Sequence, residues 1–145
     1  MNDRRAKRKA KKKAITKEEI PCIVFLSSSN RDSEEIAERR ENKQLHYINE
    51  YADAHGLIPM KIVRRGCFAP AVCNDLFKKC IYMMCAGKAQ AILVANMECI
   101  STSEADSYYK VGLVRQHGFR LFSVDEGELK LELASERRGG VSNAE

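Results

Sequence analysis

The sequence predicts an α/β domain three layers deep, with a mostly parallel sheet of about four to five strands flanked by helices. Three observations carry this. Pro21 to Ser27 (PCIVFLS) and Ala89 to Ala95 (AQAILVA) are apolar without alternation, as in strands buried on both faces of a parallel sheet. A polar turn, a helical segment and a short apolar run, Arg120 to Val124, follow the second of these, and strand, helix and strand in such close succession form a βαβ unit. Gly56, Gly87 and Gly118 stand where the intervening helices should stop.

Taken in order, Met1 to Lys17 (MNDRRAKRKAKKKAITK) is a low-complexity basic segment with almost nothing to bury. Residues 1–19 therefore read as a disordered tail, 20–133 as the folded domain, and the polar residues 134–145 as a second loose tail. The first strand begins at Pro21, a residue suited to a strand start. It runs out into Ser27-Ser28-Ser29-Asn30-Arg31-Asp32. A helix from Ser33 to His55 enters through Asp32 or Ser33 and closes at Gly56. Ile36, Leu45, Ile48 and Ala52 make its inward face, with Tyr51 at the flank, while the charges of Glu38 to Lys43 point to water. Leu57 to Val63 is the second strand, followed by a loop whose Arg64 and Arg65 read as surface residues, the alternative being that one of them swings into the site from the other side of the loop. Asp75 to Ala86, rich in Phe, Cys, Ile, Tyr and Met, is a largely buried helix. After the third strand, Ser101 and Glu104 spell a capping box that opens a helix presenting Val111, Val114 and Tyr108. Asp125 to Glu128 is a turn, and Leu129 to Leu133 alternates with period two, as a short edge strand does.

The net charge of +5 is concentrated at one end. Residues 1–19 hold nine Lys or Arg against three acids, a charge of +6, and the remainder carries −1. The basic side chains Arg4, Arg5, Lys7, Arg8, Lys9, Lys11, Lys12 and Lys13 are thus the candidate nucleic-acid contacts, salt-sensitive and indifferent to sequence. The body is not an electropositive surface on average. No apolar run approaches the ~18 residues of a membrane span, and no apolar stretch follows the charged N-terminus as in a secretory signal. Six cysteines show no C-x-x-C spacing, and His46, His55 and His117 are scattered. Reduced, structural cysteines in a cytoplasmic protein are expected, with neither metal nor cofactor. No glycine-rich nucleotide signature occurs.

In open parallel sheets, chemistry sits beyond the carboxyl ends of the strands. Here those edges are the Ser27–Asp32 run and Asn96 to Thr102. Gly87-Lys88, the strand after it, the turn, and a helix ending at His117-Gly118 before a short strand resemble the catalytic domain of the serine recombinases, the resolvase and invertase family. Gln44 ahead of Tyr51-Ala52 is similar to that family's first helix. The resemblance covers about residues 21–124 and implies a resolvase-like fold. It also implies that Ser28, with Ser27 and Ser29 as neighbouring alternatives, takes the place of a serine that attacks a DNA phosphodiester. Glu98 stands for the family's aspartate. Leu26, Asn74, Cys99 and Thr102 stand where the family has arginines.

Attack on a phosphodiester builds charge on the phosphoryl oxygens, and guanidinium groups are the expected device for holding it. A chain without them reads as a catalytically degenerate recombinase-like protein. It would act in DNA binding through its tail, or as a regulator of a full-length recombinase, and as a monomer or weak dimer. Active strand exchange through a Ser28 phosphoserine intermediate is one alternative. An unrelated α/β protein that binds RNA or the ribosome through the tail is another.

Overall fold

A computed structural model describes residues 19–29 and 31–130. The two expected tails, Glu19 apart, and the nucleic-acid contacts assigned to the first of them lie outside the described residues, as does the end of the expected edge strand. Strands β1 (Ile20–Leu26), β2 (Leu57–Arg64), β3 (Ala91–Val94) and β4 (Arg120–Ser123) run parallel, and β5 (Gly127–Leu129) pairs antiparallel with β4. Their order across the sheet is β2-β1-β3-β4-β5. Helices α1 (Glu34–His55), α2 (Pro70–Cys85) and α3 (Glu104–Gln116) make the crossovers.

The sheet has helices on both faces, which is why its central strands lack a polar period. From β1, Cys22, Val24 and Leu26 pack with Ile48 and Ala52 of α1. The intervening Ile23 and Phe25 pack with Phe77, Cys80 and Ile81 of α2 and Val111 and Val114 of α3. Phe25 and Phe77 meet edge to face with ring centroids 6.5 Å apart. Each large apolar side chain buried this way contributes roughly 1.5–3 kcal/mol relative to exposure. The predicted three-layer α/β class, with its mostly parallel sheet, is the observed one.

β2 lies at the open edge of the sheet. Pro59 offers no N–H there, and Met60 interrupts the register between Cys22↔Pro59 and Ile23↔Lys61. Both features blunt an edge that would otherwise template further strands.

Several element boundaries differ from those expected. The inward face of α1 is Ala37, Glu41, Ile48 and Ala52, while Ile36 is exposed. Glu41 is therefore not in water: its side chain is buried and accepts from the Gly66 N–H at 2.5 Å. α2 starts at Pro70 rather than Asp75, because proline lacks only an N–H that the first helical turn does not use. α3 is capped by Ser103, whose Oγ accepts from the Asp106 N–H at 3.1 Å. Ser101 instead bonds the Met97 carbonyl at 2.6 Å and the Ser107 hydroxyl at 2.6 Å. Tyr108 is half exposed, and Lys110 takes the inward place beside Val111 and Val114. β5 begins at Gly127, two residues before the expected edge strand.

Candidate functional site

β1 leads to α1 on one face of the sheet and β3 leads to α3 on the other, so the crossovers reverse between these two neighbouring strands. Such reversal points leave a crevice at the carboxyl ends. The crevice here is a cleft of about 200 Å³ between Ser28 and Ser29 after β1, the start of α2, and the turn from Glu98 to Thr102 after β3. The two expected site residues, Ser28 and Glu98, are thus brought to one place. A larger and more open hollow of about 600 Å³ lies on the α1 side, between Tyr47 and Asn96. It contains neither of them, and the smaller cleft is the candidate site.

Ser28 is fixed by its own backbone. Its N–H donates to the Gly66 carbonyl at 3.3 Å, and its carbonyl accepts from Arg65 Nη1 at 2.8 Å. The preceding residue is clamped by Gln44: the Ser27 N–H donates to Oε1 at 3.0 Å and Nε2 donates to the Ser27 carbonyl at 2.6 Å. The Ser28 hydroxyl donates to Asp32 Oδ2 at 2.5 Å. That bond above all, with Arg40 at 3.4 Å, holds the Asp32 carboxyl below its ordinary range. A carboxylate so stabilised in its charged form is a weak base, and its charge opposes the approach of a phosphodiester.

Arg65 was expected at the surface, and the structure buries it. Nε donates to the Phe68 carbonyl at 2.9 Å, and Nη1 donates to Ser27 Oγ at 3.1 Å as well as to the Ser28 carbonyl. The guanidinium lines the cleft. Leu26, one of the positions equated with an arginine, is fully buried on the α1 side and does not reach the cleft. Asn74, Cys99 and Thr102 do line it.

Two thiols complete the lining, Cys73 and Cys99. Burial pushes the Cys99 thiol up to about 11 and raises that of Cys73 as well. Both are therefore protonated near neutral pH and are poor nucleophiles. Behind the wall, buried Lys110 donates to Asn74 Oδ1 at 2.7 Å, to Asp106 Oδ2 at 2.7 Å and to the Ile100 carbonyl. Burial is the largest single influence on Asp106 and opposes its ionisation, but the Lys110 bond and charge together with the Thr102 N–H outweigh it, and the carboxyl lies below its ordinary range. Among the described residues, no group of three or more His, Cys, Asp or Glu side chains could hold a metal ion.

No family model matches the chain, and no curated protein matches it. Solved structures do. A resolvase family site-specific recombinase from Streptococcus pneumoniae superposes with a TM-score of 0.65 at 14% identity, over 83% of this chain and 85% of that one. The fold is that of the serine recombinase catalytic domains. The N-terminal catalytic domain of TP901-1 integrase gives a TM-score of 0.57 at 18% identity, over 74% of this chain and 78% of that one. The C-terminal catalytic domain of ISC1926 TnpA, an IS607-like serine recombinase, gives 0.55 at 15%, over 83% and 77%. The expectation of a recombinase-like architecture holds, and an architecture unrelated to it does not. No helix among the described residues is long and apolar enough to cross a membrane.

Lys110 is the site residue that sequence reasoning missed, and Arg65 is the one it weighed for the site but read as surface. Each is one basic residue among many, and only the folded contacts separate them from the rest. The one legible signal was the position of Arg65 directly after a strand's carboxyl end.

Proposed function

We propose that this protein is a recombinase-like module that has lost strand exchange and serves in DNA binding, or as a regulator that associates with an intact recombinase. The observation that carries this reading is the composition of the cleft. Arg65 is the single arginine lining it among the described residues, and two of its three nitrogens are bonded to backbone carbonyls and a serine hydroxyl. A transferring phosphoryl group needs cations aimed at its oxygens. Removing one such donor commonly slows a reaction by about 10²–10³. Here Asn74, Cys99 and Thr102 line the cleft with neutral groups, and the candidate nucleophile donates its hydrogen bond to an anion, Asp32. The basic segment of residues 1–17 supplies the DNA contact in this reading, since the body carries no net positive charge.

A salt series on duplex DNA with the intact protein and with a form lacking residues 1–17 tests it. Weak binding with a steep salt slope, removed by the truncation, is the expected outcome. Sequence-specific binding by the truncated form would refute the tail as the DNA contact. Active cleavage is the second reading, favoured by the reach of Arg65 to the Ser28 backbone. It requires a covalent protein–DNA adduct that disappears in Ser28→Ala, and finding one would sink the degenerate reading.

A further inference from the structure

On the α1 side of the sheet, β3 and β4 end without a helix of their own, because α2 and α3 both pack on the other face. This leaves the hollow of about 600 Å³ between α1 and the ends of those two strands. Its size falls within the ~300–1,000 Å³ of small-molecule pockets. The lining includes Ala95 and Val124, which pack on the core and give it an apolar floor. It adjoins the point where the crossovers reverse between β1 and β3, and in sheets of this strand order that is where a mononucleotide can sit.

One face of α1 supplies an aromatic ring and two cations. Arg40, Lys43 and Tyr47 follow one another at i, i+3 and i+7, so they stand in one row along the helix. Tyr47 meets His46 edge to face at 5.5 Å and is 48% exposed, which leaves ring surface for stacking. Lys43 has no ion-pair partner among the described residues. Arg40 has only a 3.4 Å contact with Asp32, and its side chain is 62% exposed. Side chains four apart on a helix have Cβ atoms about 5–6 Å apart, similar to the span of the sugar between a base and its 5′-phosphate. A ring for the base and cations for the backbone are the two elements of sequence-tolerant nucleotide recognition.

The strand ends supply the other polar groups. Asn96 precedes the 3₁₀ turn Met97–Cys99 but makes no side-chain cap bond to it, so its amide is left for a base edge or a sugar. Asp125 is the one acid among the lining residues. A carboxylate accepts from sugar hydroxyls and opposes a bare anion, which favours a whole nucleotide over free phosphate.

We infer that this hollow binds a nucleotide, with its base against Tyr47 and its phosphate on Lys43 and Arg40. The hollow shares no lining residue with the cleft at Ser28, and the inference does not rest on the proposed function.

The test is a titration of the full-length protein with adenosine monophosphate, followed by NMR of the Tyr47 ring and the Asn96 side-chain amide. Inorganic phosphate at matched ionic strength is the control. Neither resonance belongs to the basic tail, so nucleotide collected there does not register. Saturable shifts of both are expected, with the Tyr47 ring protons moved upfield by the stacked base. Tyr47→Ala, at an exposed side chain, should weaken binding about five- to a hundredfold when read at the Asn96 amide. Tyr47→Phe should retain it, and Lys43→Gln should weaken it by a few fold. A short single-stranded oligoadenylate separates the sources. If it saturates the same resonances, the occupant is a nucleotide within single-stranded nucleic acid; if it leaves them unmoved while the monophosphate shifts them, the occupant is a free nucleotide. Either result supports the site. Shifts no larger than those from inorganic phosphate with both probes, or equal affinity in the parent and in Tyr47→Ala, would overturn it. None of these outcomes bears on strand exchange at Ser28 or on DNA binding by the tail, so the readings fail separately.

Discussion

At the scale of single residues, the chain behaves as its burial dictates rather than as its composition hints. Glu41 lies in the run Glu-Arg-Arg-Glu-Asn-Lys, which reads as a solvated helix face, yet it accepts from the Gly66 N–H and lies 3.5 Å from Arg64. Removing a buried acceptor leaves the donor unsatisfied, at a cost of about 1–3 kcal/mol. Glu41→Ala should lower the free energy of denaturant unfolding by that amount, while the exposed neighbour Glu38→Ala should change it by no more than about 0.5 kcal/mol. Equal effects at the two positions would show that the Glu41 contacts carry no stability. The cysteines separate in the same manner. Burial raises the thiols of Cys22 and Cys80 to about 12 and that of Cys99 to about 11, whereas Cys85 is exposed and Cys67 half-buried. An aromatic disulfide reagent should therefore label Cys67 and Cys85 quickly in the native protein, and the other four only on unfolding. Rapid labelling of Cys99, one of the two thiols in the cleft, would contradict its burial. The sequence could not show which polar residues turn inward, because the partners of Glu41 and Arg65 lie 25 and 38 residues away along the chain.

At the scale of elements, helix ends decide how well the chain can be read. Ser101 with Glu104 is the start signal expected for α3, and Ser103 with Asp106 is the cap the structure shows. The second prevails because Asp106 also accepts from the Thr102 N–H and from Lys110, while Lys110 holds the Ile100 carbonyl and so fixes the chain entering the helix. Lys110 sits two turns into α3, beyond the reach of a local capping pattern. The far end of α3 was legible, since it depends on one residue. Gly118 adopts φ +83°, with its N–H on the Arg115 carbonyl and the Phe119 N–H on the Val114 carbonyl, which closes the last turn. A Cβ added there would meet nothing within 4 Å, so Gly118→Ala should cost only the left-handed backbone strain, about 1–2 kcal/mol. Gly118→Asn should recover part of it. A neutral Gly118→Ala in thermal unfolding would mean that the turn rearranges without penalty.

At the scale of the whole molecule, the layered architecture was visible because β1 and β3 are apolar on both faces, and that property is written locally in the sequence. The site was only half visible, because it forms where three crossovers meet and its polar groups are recruited across layers. The same polar contacts govern the response to acid. Asp32 is held below its ordinary range by the Ser28 hydroxyl, Glu128 by bonds from Arg120 at 2.8 and 2.9 Å, and Asp106 by Lys110 in spite of its burial. A carboxyl with a lowered folded pKa binds its proton more weakly in the native state than in the unfolded chain. The stability it contributes is fully present above the unfolded value of about 4, and it is lost as pH falls through the folded value. The free energy of denaturant unfolding should therefore be level near neutral pH and decline as pH falls below about 4. Asp106→Asn should lower the neutral plateau and flatten the decline, because its partner Lys110 is buried and is left without its carboxylate. A decline of unchanged steepness in that variant would remove Asp106 from the acid response and leave Asp32 and Glu128 to account for it.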